Sequence, residues 1–470
     1  MGQRVVVVGG GLAGLATAHH LVRTRPDLEV TVVDGGDMPG GKVRREQVGG
    51  VLVDVGAESV VASSTAAREL FDQLGLTERI VHPEPVPAAI WSRGARHGVP
   101  AGTFMGVPGP RTDLTGLLEE GEVARAAQPA PFVLEGDDVS VADAVGGVYG
   151  RAVVDRVVEP LLGGVYAGRV DRLSLRATMP ALWAALEGRG MPEAVASLLP
   201  PPGTPPRPRV MGLVGGIGGL VDALVAGVRD AGGRVESATL VRRLERTTQG
   251  WRVITGATNA EVAIDADLVV LATPAAPTSR LLTDHAPVAA SALAAIEYAS
   301  MAVVTVALPA TGVPALPGSG FLVPAVDGRP IKASTFSAAK WAWVRDASRE
   351  VVLLRGSAGR AGEVATLQRD DADLVADTLL EIGAALGASL PAPVDARVRR
   401  WGGGLPQYDL GHTGRVAAVR SAVAALPGIE VTGAAYDGVG IGAVLTGAAA
   451  TATTILDALP PSSTSRQEHR

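Results

Sequence analysis

The sequence predicts an α/β fold with a parallel nucleotide-binding sheet. Three observations carry that reading. A β-branched run at residues 5–8 enters a glycine turn and then a helical pattern. A second run, residues 29–33, ends on the acidic Asp34. A glycine-rich strand-to-helix junction recurs far downstream, from Val431 to Ile441. The composition supplies the core such a fold needs: 47% of the 470 residues are hydrophobic and 19% are charged, which excludes a mainly disordered chain.

Taken in order, the elements begin with a strand over 5–8, a helix over 12–24 and a strand over 29–33. The first run is expected to be a buried strand and not a secretory leader, because Gly9, Gly10 and Gly11 interrupt it and no small-residue cleavage site follows. Residues 111–199 carry helical patterns at 114–127, 141–149, 150–159 and 177–187. The proline-rich stretch 200–208 is a connector, since proline neither donates to a ladder nor continues a helix. Another glycine turn, 215–219, leads into a helix over 220–231. Strands are expected at 235–244, 251–255, 262–264, 268–272, 302–308, 320–323 and 351–355, and a helix at 374–386. The polar tail, 460–470, is expected to fray. No internal repeat is visible. The most apolar window, 439–459, is diluted by Gly and Thr, so no transmembrane segment and a cytoplasmic protein are expected.

Several chemistries drop out. There is no cysteine, which excludes disulfides, thiolate nucleophiles and Cys-ligated metals. With 42 Lys and Arg against 48 Asp and Glu, the formal charge of −6 argues against nucleic-acid binding by bulk charge. His19, His20, His97, His285 and His412 show no metal-ligand or triad spacing, so no metal and no catalytic side chain are expected.

Gly9, Gly11 and Gly14 fit G-x-G-x-x-G, with Leu12 and Ala13 between the last two. The motif follows a strand, opens a helix and has Asp34 twenty positions beyond Gly14, the context a dinucleotide site requires. Gly9 permits the tight turn, Gly11 lets backbone approach a pyrophosphate, and Gly14 allows close helix–strand packing. Asp34 is placed to accept from ribose hydroxyls. Gly40, Gly41 and Lys42 follow, then Gly56, Ala57, Glu58 and Ser59. Further glycine turns this close to the first point to a long cofactor threaded under several loops.

This arrangement resembles the flavin amine oxidase superfamily. The resemblance implies FAD, with Gly40, Gly41, Lys42, Gly56, Ala57, Glu58 and Ser59 wrapping its pyrophosphate and ribityl chain and Val241 also contacting it. It implies that Gly433, Val439, Gly440 and Ile441 point a helix N-terminus at the flavin pyrimidine. The segment from Val158 to Gly168, which includes Pro160, Leu161, Leu162, Gly163 and Gly164, resembles the protoporphyrinogen/coproporphyrinogen oxidase family more specifically, over nearly the full length. That implies a Rossmann-type FAD-binding domain (1–85, 206–285 and 400–459), a mixed-sheet substrate domain (86–110 and 286–399) and a mostly helical third domain (111–205). The implied activity is six-electron oxidation of a porphyrinogen in haem biosynthesis, with hydride taken by flavin N5 and three O2 reduced to three H2O2.

The same resemblance implies an apolar pocket framed by Val165, Tyr166, Gly168, Val306, Leu322 and Phe336. Relatives from animals and plants carry a basic residue before the strand resembling 88–92, and this chain does not. Arg169, Arg172, Arg176 and Lys332 are the cations available for substrate propionates. Coproporphyrinogen III is the favoured substrate. Protoporphyrinogen IX and a non-catalytic flavin-binding porphyrin carrier stay open, as do handover to a metal-inserting enzyme and peripheral membrane contact.

Overall fold

The computed structural model describes residues 2–460 apart from 202 and 206. A five-stranded parallel sheet has the order Arg234–Glu236, Glu29–Val33, Arg4–Val8, Leu268–Leu271, Ile429–Val431. Its strands lie between two layers of helices, so both faces are buried and the sequence reads as unbroken apolar runs. Val5 and Val7 enter a core shared with the helices Leu12–Thr24, Gly219–Asp230 and Ile441–Ala458. Val6 and Val8 face the opposite core, with residues of Ala275–Leu282, Pro287–Ala294 and His412–Ala424. That alternation is the two-residue period of a strand. Ile441–Ala458 is long and apolar enough to cross a membrane by length and composition, but its apolar face packs on Leu12–Thr24.

A second, seven-stranded mixed sheet runs Asp395–Pro406, Tyr298–Pro309, Val351–Ala358, Ala333–Thr335, Gly320–Leu322, Ala88–Ser92, Ala95–Gly98. Its one parallel pairing joins Gly320–Leu322 to Ala88–Ser92, 232 residues apart in register. The strand Asp395–Pro406 crosses the expected division between 399 and 400, so residues through Pro406 belong to this sheet by hydrogen bonding. Short helices between Glu120 and Leu198 enclose a separate apolar core.

The local expectations needed four changes. The expected helix over 114–127 starts only at Glu120, where Glu119 and Glu122 form a reciprocal capping box. Gly150, at φ 92°, breaks the chain before Arg151, and the helix then passes through a π-type stretch, Val154–Val158, into Glu159–Tyr166. The helix expected over 177–187 is split into Leu175–Thr178 and Pro180–Ala185, because Pro180 lacks the N–H a continuing helix needs. The strand expected over 235–244 is two strands: Arg234–Glu236 extends the parallel sheet, and Val241–Thr247 opens an antiparallel one. The expected fraying beyond 460 lies outside the described residues.

Candidate active site

Two uncapped helix N-termini meet one cavity. Leu12–Thr24 starts from Gly11 and Ile441–Ala458 from Gly440, each without a side-chain cap or an acidic residue in its first turn. Their first N–H groups have no intrahelical partner, and each helix end carries partial positive charge, an arrangement suited to an anion. Between them lies a cavity of about 270 Å³ lined by Gly9, Gly11, Leu12, Ala13, Asp34, Gly40, Gly41, Lys42, Ala57, Gly433, Val439 and Ile441.

The local geometry explains the glycines. A Cβ at Gly11 would meet nothing within 4 Å, so the space beside this backbone is open. A Cβ at Gly14 would lie 2.0 Å from the Gly9 carbonyl oxygen, so this position serves packing and does not line the cavity. The Gly40 N–H donates to the Gly10 carbonyl at 2.7 Å and holds the second glycine turn against the first. Asp34 accepts from the Gly10 N–H at 2.5 Å and the Gly36 N–H at 2.8 Å, one on each oxygen. Val241 is half-buried against the core on the sheet's far side and lines neither cavity.

A second cavity of about 470 Å³ adjoins the first, with Lys42, Ala57, Leu405, Val439 and Ile441 lining both. Gly56, Glu58, Ser59 and Gly440 line it, so these four sit toward the mixed sheet. Val165 and Leu322 also line it, with Gly164, Met301 and Val303.

Four of the expected pocket residues do not reach it. Val306 belongs to the same strand as Val303 but lies an odd number of positions away, so it faces the core on the opposite side. Phe336 is fully buried there, edge-to-face with Phe321 at 6.0 Å. Tyr166 is buried against Tyr408, with ring centres 5.5 Å apart. Gly168 packs under Gln407, whose amide donates to the Tyr166 carbonyl at 2.9 Å. The end of the helix Glu159–Tyr166 thus offers Gly164 and Val165 to the cavity, and Tyr166 and Gly168 act as anchors.

The polar wall was mostly not foreseen. Glu58 is ion-paired to both Lys340 and Arg355, and Arg355 also donates to the Gly56 carbonyl at 2.6 Å. Burial pushes the Glu58 carboxyl up, but the two cations outweigh it and hold it down at about 2. Among the lining residues, Lys42, Lys332, Lys340 and Arg355 face a single carboxylate, Glu58, which leaves the wall positive. The one available signal for Arg355 was a charge inside an otherwise apolar strand. Arg169, Arg172 and Arg176 do not line the cavity: they meet Glu363, the pair Glu297 and Asp409, and the Asp137 carbonyl respectively. Lys332 is the one of the four expected cations that lines it.

Two motifs support the cavity from behind. Asp54 accepts from the Ile217 and Gly218 N–H groups at 2.8 and 3.0 Å, so a carboxylate of this chain fills the 215–219 glycine turn. Burial raises Asp54 to about 7 against those two bonds. Tyr408 donates its hydroxyl to the Ala434 carbonyl and accepts from the Gly438 N–H, both at 2.7 Å, pinning the loop before Ile441.

Comparison with known proteins agrees with this geometry. The chain is 37% identical over 452 residues to the coproporphyrinogen III oxidase of Mycobacterium leprae (strain TN), covering 94% of this chain and 96% of that protein. It is 27% identical over 457 residues to the coproporphyrinogen III oxidase of Bacillus subtilis (strain 168), covering 93% and 95%. A crystal structure from Exiguobacterium sp. 255-15, provisionally assigned as a protoporphyrinogen oxidase, superposes with a TM-score of 0.84 at 29% identity, covering 97% and 99%. The family description "Flavin containing amine oxidoreductase" matches residues 12–455. FAD is therefore the cofactor, and the open backbone at Gly11 between two uncapped helices fits its pyrophosphate. From the first glycine turn to the last helix, the chain belongs to the family of flavin-containing amine oxidoreductases.

Proposed function

We propose that this protein is an FAD-dependent coproporphyrinogen III oxidase of haem biosynthesis. The reaction converts coproporphyrinogen III and three O2 to coproporphyrin III and three H2O2. The observation that carries this reading is the pair of adjoining cavities, one at the dinucleotide cradle and the other with a wall of four cations and one carboxylate. A tetracarboxylate ring suits that wall better than a neutral amine or a carotenoid. The relatives named above, from Mycobacterium leprae and Bacillus subtilis, bear the same activity in their names.

Bound FAD supplies the hydride acceptor, and the hard redox chemistry is the cofactor's. The protein's part is to hold the cofactor, orient the macrocycle and exclude water. Gly9, Gly11, Leu12, Ala13, Asp34, Gly40, Gly41 and Lys42 would hold the adenosine and pyrophosphate. Gly56, Ala57, Glu58, Ser59, Gly433, Val439, Gly440 and Ile441 would surround the remainder. Val165 and Leu322 would supply apolar contacts to the ring from the cavity wall.

We divide the chain into an FAD-binding unit (1–85, 206–285 and 407–459), a substrate unit (86–110 and 286–406) and a helical unit (111–205), with the division at 406 following the strand Asp395–Pro406. We place the protein in the cytoplasm, where its product would pass to a metal-inserting enzyme. The purified holoprotein, followed by porphyrin fluorescence, should turn over coproporphyrinogen III faster than protoporphyrinogen IX. It should release three H2O2 per ring. Faster turnover of protoporphyrinogen IX would reverse the substrate assignment, and a flavin that stays oxidised with both would make the protein a carrier.

A further inference from the structure

We propose that Lys332 is the seat of one substrate carboxylate, a positioning contact inside the cavity; this rests on the porphyrinogen oxidase reading above. Lys332 lines the larger cavity, yet its residue is only 5% exposed and its Nζ has no hydrogen-bond partner. A buried ammonium without a partner is costly, and proteins normally keep such a group only when something binds it.

The neighbouring charges are already engaged. Behind Lys332, Arg360 is paired with Glu159 and Glu363 and donates to the Val323 carbonyl at 2.9 Å. Glu159 also accepts from the Ala325 N–H, and Glu363 meets Arg169. Elsewhere in the cavity wall, Lys340 and Arg355 share Glu58. Lys332 is thus an amine left without a counter-charge once these pairs are made.

The backbone fixes its position. The Lys332 N–H donates to the Ser357 carbonyl at 2.7 Å, and its carbonyl accepts from the Val323 N–H at 2.8 Å. The backbone at Lys332 is therefore held by the sheet next to Ala333 and Thr335, which line the same cavity. A porphyrinogen is an apolar ring with carboxylate arms. Such a ring could lie against Val165 and Leu322 while one arm reached Lys332.

Burial, with Arg360 adding to it and Glu363 and Glu159 opposing, lowers the ammonium to about 7. An arriving carboxylate favours the charged form, so binding should draw a proton onto Lys332 and weaken as pH rises above about 7.

The test compares holoenzymes with Lys332, Lys332→Met and Lys332→Arg. Each is titrated by fluorescence with coproporphyrin III and, in the same detergent buffer, with its tetramethyl ester. Lys332→Met should weaken the free acid about 10- to 100-fold and leave the ester unchanged, the size expected for one charge-assisted hydrogen bond. KM for coproporphyrinogen III should rise more than kcat falls, with flavin content normal, and Lys332→Arg should restore most of the affinity. Equal effects on acid and ester, or none on either, would overturn the assignment. Should Lys332→Met not fold, the pH series on the unaltered holoenzyme decides: an acid-to-ester affinity ratio that does not change between pH 6 and 9 sinks the proposal. An unaltered holoenzyme that oxidises no porphyrinogen refutes the function itself; an active one with indifferent Lys332 variants refutes only this contact.

Discussion

Gly11 and Gly14 lie three residues apart in one turn, yet an added methyl group would act differently at each. At Gly11 it would project into open space within the cradle. At Gly14 it would meet the Gly9 carbonyl oxygen 2.0 Å away. Gly11→Val should therefore fold with near-normal far-UV circular dichroism and purify without flavin absorbance, because its side chain takes the room the pyrophosphate needs. Gly14→Ala should lose thermal stability whether or not FAD is added, since helix and strand must separate to admit the methyl. A yellow Gly11→Val protein, or a Gly14→Ala protein as stable as the original, would show that the two roles are wrongly divided. Both positions were legible from the motif, because the spacing of the glycines encodes a local turn. Lys340 and Arg355 were not, because nothing near them in sequence hints that both converge on Glu58.

Strands and helices differ in how far local signals reach. The opening strand, helix and strand were expected at 5–8, 12–24 and 29–33 and occur at Arg4–Val8, Leu12–Thr24 and Glu29–Val33, because each depends on its own apolar run and its own turn. The seven-stranded sheet was not legible as an order. Its pairing of Gly320 with Ala88 depends on where distant segments pack, which no local period reports. The same limit misplaced Val306, since an apolar residue in a strand can face either side and only the register decides which, and Phe336, which leaves the strand Ala333–Thr335 to cap the next helix against the core. With Phe336 in the core against Phe321, Phe336→Ala should lower stability by about 3–5 kcal/mol in denaturant unfolding. KM for coproporphyrinogen III, measured below the variant's melting range, should barely move. A large KM change with unaltered stability would return Phe336 to the pocket.

At the scale of the molecule, the cavities sit where the parallel sheet, the mixed sheet and the last helix approach one another. FAD binds only the folded arrangement of these parts, so it should stabilise the whole chain by mass action, about 2.7 kcal/mol at one hundred times its Kd. Stripping the flavin should lower Tm in calorimetry, and adding it back should restore Tm. A Tm indifferent to FAD would mean that the cavity walls hold together without their ligand. The outline of this assembly was visible in the glycine-rich segments at both ends of the sequence, but the positive wall between the sheets was not. That wall exists only through contacts between segments hundreds of residues apart, such as Glu58 with Arg355. The cradle begun at Gly9 is completed by Gly440 and Ile441. During synthesis, therefore, a growing polypeptide has no finished berth for its prosthetic group until the helix Ile441–Ala458 has left the ribosome. Flavin capture then waits for that helix, and a cell short of riboflavin would accumulate synthesised but incompletely consolidated chains.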